Sequence, residues 1–174
     1  MASEQLEITI REAVPDDAAA LLKVFEQLNQ ETNFVVLTPS ELKLTPETEA
    51  MELADLYDSD NNALFVALAG SQIIGLVRMT ADLDVHTGHI GDLGIAVLKD
   101  YWHCGIGTAL METIMDWAEH SPLARLELTV QRRNNRAIAL YERFGFETEA
   151  LMERGYYDET DGYLPILLMS KLIH

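Results

Sequence analysis

Leu6, Ile8 and Ile10 alternate with Glu7, Thr9 and Arg11, the two-residue period of a half-buried strand. The period then lengthens. Pro15-Asp16-Asp17 opens a helix whose apolar face is Ala18, Leu21, Leu22, Phe25 and Leu28. Thr45-Pro46 offers a cap and a first-turn proline for a second helix, expected to face inward through Ala50, Leu53, Ala54 and Tyr57. Two apolar strands follow, around Leu64–Ala69 and Ile73–Met79, and Gly70-Ser71 between them suits a type II′ hairpin. A third strand is predicted over His89–Leu98, then a helix from about Gly105 with Ile106, Leu110, Ile114 and Trp117 on one face. Leu126, Leu128 and Val130 alternate with polar residues in another strand, and a helix from about Asn134 runs to Gly145, a glycine placed to stop it. The tail holds strands near Phe146–Arg154 and Tyr163–Leu172, joined through Asp161-Gly162. The order β-α-α-β-β-β-α-β-α-β-β predicts an α/β (α+β) fold: a mixed sheet with helices on both faces. No repeat or linker interrupts it, so one domain over residues 1–174 is expected.

Composition narrows the class. Of 174 residues 48% are apolar, enough for a sizeable core, and the longest apolar runs are too short to cross a bilayer. The start MASEQLEITI lacks the basic and apolar stretches of a signal peptide, and the one cysteine, Cys104, rules out an intrachain disulfide. A reducing, cytoplasmic setting is expected. A net charge of −17 argues against nucleic acid as a partner. The charge concentrates early, with seven acidic residues against one basic in Glu41–Asp60. That stretch reads either as a solvated surface or as a field that gathers a cationic substrate. The five histidines lack partners at ligand spacing, so no metal site is expected.

The densest chemical signal lies in Leu93–Leu110, a strand, a short loop and a helix entered through Gly105-Ile106-Gly107. Unpaired N–H groups and the helix dipole at such an entry suit a pyrophosphate, and glycine lets the oxygens reach the backbone. The P-loop string is absent, and Leu110 stands where the dinucleotide fingerprint needs its third glycine. Gly91 and Gly94 in the preceding strand point to a bulge, a close backbone approach, or packing against bulky neighbours.

Val97–Leu110, with Tyr101 and the Gly105–Leu110 run, resembles the acetyl-CoA pyrophosphate motif of the GNAT superfamily of N-acetyltransferases. Asn134-Asn-Arg-Ala-Ile-Ala-Leu-Tyr141-Glu-Arg-Phe-Gly145-Phe146 resembles the second motif of that family, one strand downstream. The resemblance implies a GNAT-like, mostly antiparallel central sheet and an acetyl-CoA-dependent acyltransferase. It implies that Ile95 and Val97 pair through their backbones with pantetheine. The amides of His103, Cys104, Gly105, Gly107 and Thr108, in the loop that includes Ile106, would bind the pyrophosphate. Asn134 would hydrogen-bond the cofactor, and Tyr141 would sit by the sulfur as general acid. Trp102 departs from the family, which often has Arg or Gln there, and Thr129 stands where some N-terminal acetyltransferases carry a carboxylate.

Acetyl transfer from a thioester needs a neutral amine, whereas lysine-like amines have a pKa of about 10.4. His89, Asp92 and Glu31 are the candidates for the base. A covalent route through Cys104 lacks a base, and Arg132-Arg133 is a candidate partner for the phosphates. The expected reaction is direct attack on acetyl-CoA by a primary amine, that of a small cationic amine or an amino acid. A protein lysine or N-terminus, or a non-catalytic acyl-CoA sensor, is the alternative. The resemblance implies a homodimer as the assembly to test.

Overall fold

The computed structural model describes residues 7–34 and 44–174. Its elements are β1 (Ile8–Glu12), α1 (Ala18–Glu31), α2 (Pro46–Tyr57), β2 (Ala63–Ala69), β3 (Gln72–Thr80), β4 (Ile90–Val97), α3 (Ile106–Glu119), β5 (Arg125–Gln131), α4 (Asn135–Arg143), β6 (Glu147–Asp158) and β7 (Gly162–Leu172). The strands form one seven-stranded sheet in the order β1-β2-β3-β4-β5-β7-β6. Every neighbouring pair is antiparallel except β4 and β5.

Local chemistry sets the boundaries. Arg11 donates to both carboxylate oxygens of Asp17 at 2.7 and 2.8 Å, and Asp17 accepts from the Val14 amide, which folds the entry of α1 back on β1. The Arg11 guanidinium holds the Asp17 carboxyl below its ordinary range. Thr45 Oγ1 caps α2 by accepting from the Thr48 amide. Ala69 pairs with Gln72 around the two-residue Gly70-Ser71 loop, where Gly70 has φ +61° and Ser71 does not enter positive φ, the type II′ signature. Gly145 ends the last helix at φ +86°.

Helices cover both faces. Leu110, Met111 and Ile114 of α3 pack on Ile74, Val77, Met79, Leu126 and Leu128, with Tyr141 of α4 in the same core. On the other face Leu21, Val24 and Leu28 of α1 and Leu53 of α2 pack on Val66, Leu68, Leu76 and Ala96. Among the described residues no helix is long and apolar enough to cross a membrane.

Three expectations change. The stripe of α2 runs through buried Glu49 and Leu53 to Leu56, whereas Tyr57 is exposed, because one residue further turns the side chain about 100°. The strand predicted to end at Arg154 continues to Asp158, since a register shift between Met152 and Tyr156 absorbs the break and pairing resumes. β4 carries no bulge: it keeps regular register with β3 from Asp92↔Thr80 to Val97↔Gly75. Its glycines serve close approach instead. A Cβ on Gly91 would lie 2.6 Å from Met79 Sδ and 2.8 Å from Leu123 Cδ1, and one on Gly94 would lie 3.1 Å from Arg78 Nε. Leu6 and Glu41–Lys43 fall outside the described residues.

Candidate active site

β4 and β5 run parallel for only three pairs, Ile90↔Arg125, Gly91↔Leu126 and Asp92↔Glu127. Beyond them the strands part, β4 staying with β3 and β5 with β7. The Leu98 amide donates to the Ile74 carbonyl at 2.9 Å, so strand alternation turns the N–H and C=O of Ile95 and Val97 away from β3 and into the gap. One of these groups has a partner: Trp102 Nε1 donates to the Val97 carbonyl at 2.7 Å. The Ile95 peptide groups and the Val97 N–H face the slot.

Below the gap, a single 3-10 turn at Lys99–Tyr101 leads into a loop where His103 (φ +62°) and Gly105 (φ +78°) are left-handed. That geometry aims successive amides outward. None of the amides from His103 to Thr108 donates to a described residue; the first bond at this end is from Ala109 to the Gly105 carbonyl. A Cβ on Gly107 would meet only Leu140 Cδ2 at 3.5 Å, and one on Gly105 nothing within 4 Å. Among the described residues nothing crowds these two positions, so the cradle fits an anion such as a pyrophosphate.

A cavity of about 450 Å³ opens here, lined by Trp102, His103, Gly105, Gly107 and Thr108 and, from α4, Arg136 and Arg143. No carboxylate is among its described lining residues. Arg143 Nη2 donates to Thr108 Oγ1 at 2.9 Å, and the Arg136 guanidinium lies 5.4 Å from the Trp102 ring centroid. Neither member of the pair read from sequence, Arg132-Arg133, lines this cavity. Arg133 donates to Gln131 and Asp161 and lies over Phe34.

A second cavity, about 370 Å³, adjoins the first and shares Phe34, Ile95, Ala96, Asn134, Ala137 and Leu140 with it. Its own walls include Arg78, Asp92, Thr129, Gln131, Tyr141 and Tyr156. Tyr141 is 7% exposed, and burial pushes its phenol up to about 12. Asp92 opens to the cavity, yet enough protein surrounds it that desolvation raises its pKa; Arg78 opposes the shift and Glu127 adds to it. Asn134 caps α4 by accepting from the Ala137 amide at 3.3 Å while lining both cavities.

The other two base candidates are placed apart. His89 heads β4 with an exposed side chain, its carbonyl accepting from Ala124 and Arg125, and lines neither cavity. Glu31 accepts from the Lys99 amide at 2.8 Å and from Gln27 at 2.6 Å, tying the end of α1 to the approach to the loop. Cys104 is exposed, with its thiol 3.5 Å from the Trp102 carbonyl. Among the described residues no three His, Cys, Asp or Glu side chains are grouped to hold a metal ion.

Sequence reasoning missed Phe34, Arg78, Arg136, Arg143, Gln131 and Tyr156. Arg78 had a readable signal, a lone charge in an otherwise apolar strand, and Arg136 and Arg143 had another, seven-residue spacing along one helix face. Tyr156 had none, because the shifted register that brings it to the cavity depends on a left-handed Arg154 (φ +54°).

A mostly antiparallel sheet that opens between its two parallel strands, beside an amide-lined turn and a buried phenol, is the arrangement that the GNAT resemblance implies for an acyltransferase. The Acetyltransferase (GNAT) family matches residues 22–146, and the chain belongs to that family. It is similar to the GNAT-family acetyltransferase from Streptococcus pneumoniae, with a TM-score of 0.92 and 41% identity over 96% of this chain and 100% of that one. It is 45% identical over 76 residues to the [ribosomal protein bS18]-alanine N-acetyltransferase of Escherichia coli K12, 44% of this chain and 51% of that protein. The match thus spans about half the length of that relative. Similarity to the L-amino acid N-acetyltransferase AaaT of Escherichia coli K12 is 26% over 144 residues, 82% of this chain and 85% of AaaT.

Proposed function

We propose that the chain transfers acetyl from acetyl-CoA directly to the α-amino group of an amino acid, with both substrates bound together. The observation that carries this reading is the meeting of two cavities at Ile95, one walled by amides and arginines, the other by Asp92, Arg78 and Tyr141. Bound acetyl-CoA supplies an activated thioester. The amides of His103, Cys104, Gly105, Gly107 and Thr108 hold its diphosphate, and the Ile95 N–H and C=O and the Val97 N–H, turned away from β3, take the pantetheine amides as a strand would. Asn134, at the junction, fixes the arm between them.

Asp92 accepts a proton from the incoming ammonium. Its raised pKa suits the task, because a carboxylate that binds protons more tightly is the better base near neutral pH. Tyr141 faces a thiol with a pKa of about 8.5, so full proton transfer from a phenol at about 12 is uphill by roughly 5 kcal/mol. Tyr141 therefore works as a hydrogen-bond donor that stabilises negative charge on the departing sulfur. The ammonium gives up two protons as the amide forms, one reaching the sulfur and one released to solvent.

The presence of both signs of charge in the acceptor cavity, where Arg78 and Asp92 act on one another electrostatically, supports an amino acid over a wholly cationic amine. The similarity to AaaT supports the same class. A second reading, the N-terminal residue of a polypeptide, is favoured by the 45% identical stretch shared with the bS18-alanine enzyme. Thiol release with free amino acids, their carboxamides, tetrapeptides with the same first residue, and polyamines decides between them. Free amino acids turning over and carboxamides failing supports the first reading. Faster turnover of tetrapeptides supports the second, and a preference for polyamines overturns both.

A further inference from the structure

We propose that Glu127, anchored by Arg125 on β5, is a positioning residue that makes Asp92 the proton-accepting carboxylate of the acceptor cavity. The proposal rests on the reading of Asp92 as the base and names what fits it for that task.

Asp92 and Glu127 form the last of the three pairs that join β4 to β5, at the point where the strands part. Residues paired in a parallel ladder project to the same face, on strands about 4.8 Å apart. Two carboxylates are thus set side by side at the head of the gap, an arrangement that costs stability when both are charged. Glu127 lines neither cavity, so it reaches the reaction through Asp92.

Glu127 is held in place. Arg125 Nε donates to its carboxylate at 2.9 Å, while Nη1 and Nη2 of the same guanidinium donate to Glu149 at 2.6 and 2.9 Å. Ser170, the partner of Glu127 on β7, donates to Glu149 as well. Arg125 and Ser170 hold the Glu149 carboxyl down to about 2, so that group stays ionised and keeps its claim on the guanidinium. One cation therefore serves two carboxylates, and part of the Glu127 charge is left to act on Asp92. Burial and Glu127 then push the same way, toward a carboxyl that binds its proton more tightly.

The other described neighbours of Asp92 do not supply that push. Arg78 on β3 opposes it, and Thr80, paired with Asp92 on β3, carries no charge. To the shared cavity α1 contributes Phe25 and Leu28, α4 and β6 the phenols Tyr141 and Tyr156. Glu49, Glu52 and Asp55 of α2 line a third cavity with Arg78, one that Asp92 does not line.

Two readouts on the full chain test this. One is the titration of the Asp92 carboxyl by carbon-13 NMR, which needs no ligand. The other is the pH profile of kcat/KM with the fastest acceptor of the panel above. Glu127→Gln should move the titration and the acidic limb to lower pH, and lower the plateau by about twofold because the base is weaker. Arg125→Gln should move both to higher pH, because Glu127 loses its counter-charge. Glu127→Asp and Arg125→Lys keep the charges and should hold the limb at its parental pH. Opposite shifts from two neighbouring substitutions do not arise from a loosened strand, which the thermal midpoint reports separately. An Asp92 titration that Glu127→Gln leaves unmoved, or that both neutralising variants move the same way, overturns the role of Glu127 while Asp92 as base stands. An acidic limb that persists in Asp92→Asn removes the base reading, and this proposal with it.

Discussion

The two cavities on either side of Ile95 share six lining residues and differ in how they present charge. On the donor side, backbone amides and two arginines face the opening without an acid among them. On the acceptor side, a carboxylate and a guanidinium share a wall with a phenol that burial keeps neutral. The donor wall is built largely from backbone geometry, left-handed at His103 and Gly105, and a fixed array of amides suits a constant ligand. The acceptor wall is built from side chains on seven separate elements, which can change one at a time. Grip is therefore expected to fail through the backbone, and turnover through single side chains.

The largest effect should come from Gly107→Val, which fills the amide cradle. Coenzyme A affinity should fall by about a hundredfold or more, near 3 kcal/mol. The thermal midpoint should hold, because a Cβ there meets only Leu140 at ordinary distance. A parental affinity measured by calorimetry would break the donor half of the comparison. Next is Tyr141→Phe, which should lower kcat by about tenfold to a hundredfold with little change in KM, the mark of an interaction made in the transition state. Equal turnover would leave Tyr141 as core packing against Phe146.

Asp92→Asn should cost about tenfold in kcat/KM and flatten the acidic limb of the pH profile. Parent activity should rise as pH climbs through the raised Asp92 pKa, where the carboxylate becomes the proton acceptor. Stability carries the opposite sign: a carboxyl raised by burial favours the fold when protonated and detracts from it once ionised. The asparagine variant should therefore melt no lower than the parent at pH 8, as differential scanning calorimetry would show. The smallest effect should be Thr108→Ala, which frees Arg143 from its hydroxyl partner and should weaken coenzyme A by only about threefold.

Much of the scaffold was legible because periodicity and turn chemistry agreed. Gly70-Ser71, Thr45-Pro46 and Gly145 each demanded one local geometry, and each adopts it. The amide turn was legible for the same reason, since Gly105-Ile106-Gly107 after an apolar strand leaves few conformations. The acceptor wall was not. Arg78, Tyr156 and Phe34 converge from β3, β6 and the exit of α1, and no sequence spacing encodes that meeting. Glu31 and His89 stand near the right elements in sequence, but register and helix phase turn one to the Lys99 amide and leave the other at the exposed head of β4. Gly91 and Gly94 signalled something unusual in β4, yet sequence could not separate a bulge from tight packing against Met79 and Arg78.

The junction of only three residue pairs between β4 and β5 has a mechanical consequence. A coenzyme arm laid along Ile95 and Val97 would act as a removable suture across the seam, coupling the amino-terminal strands to the carboxy-terminal ones. Resistance to heat should then climb with the logarithm of coenzyme concentration. Amide exchange should slow along both lips of the seam, including Leu128–Gln131 on the side the loop never touches.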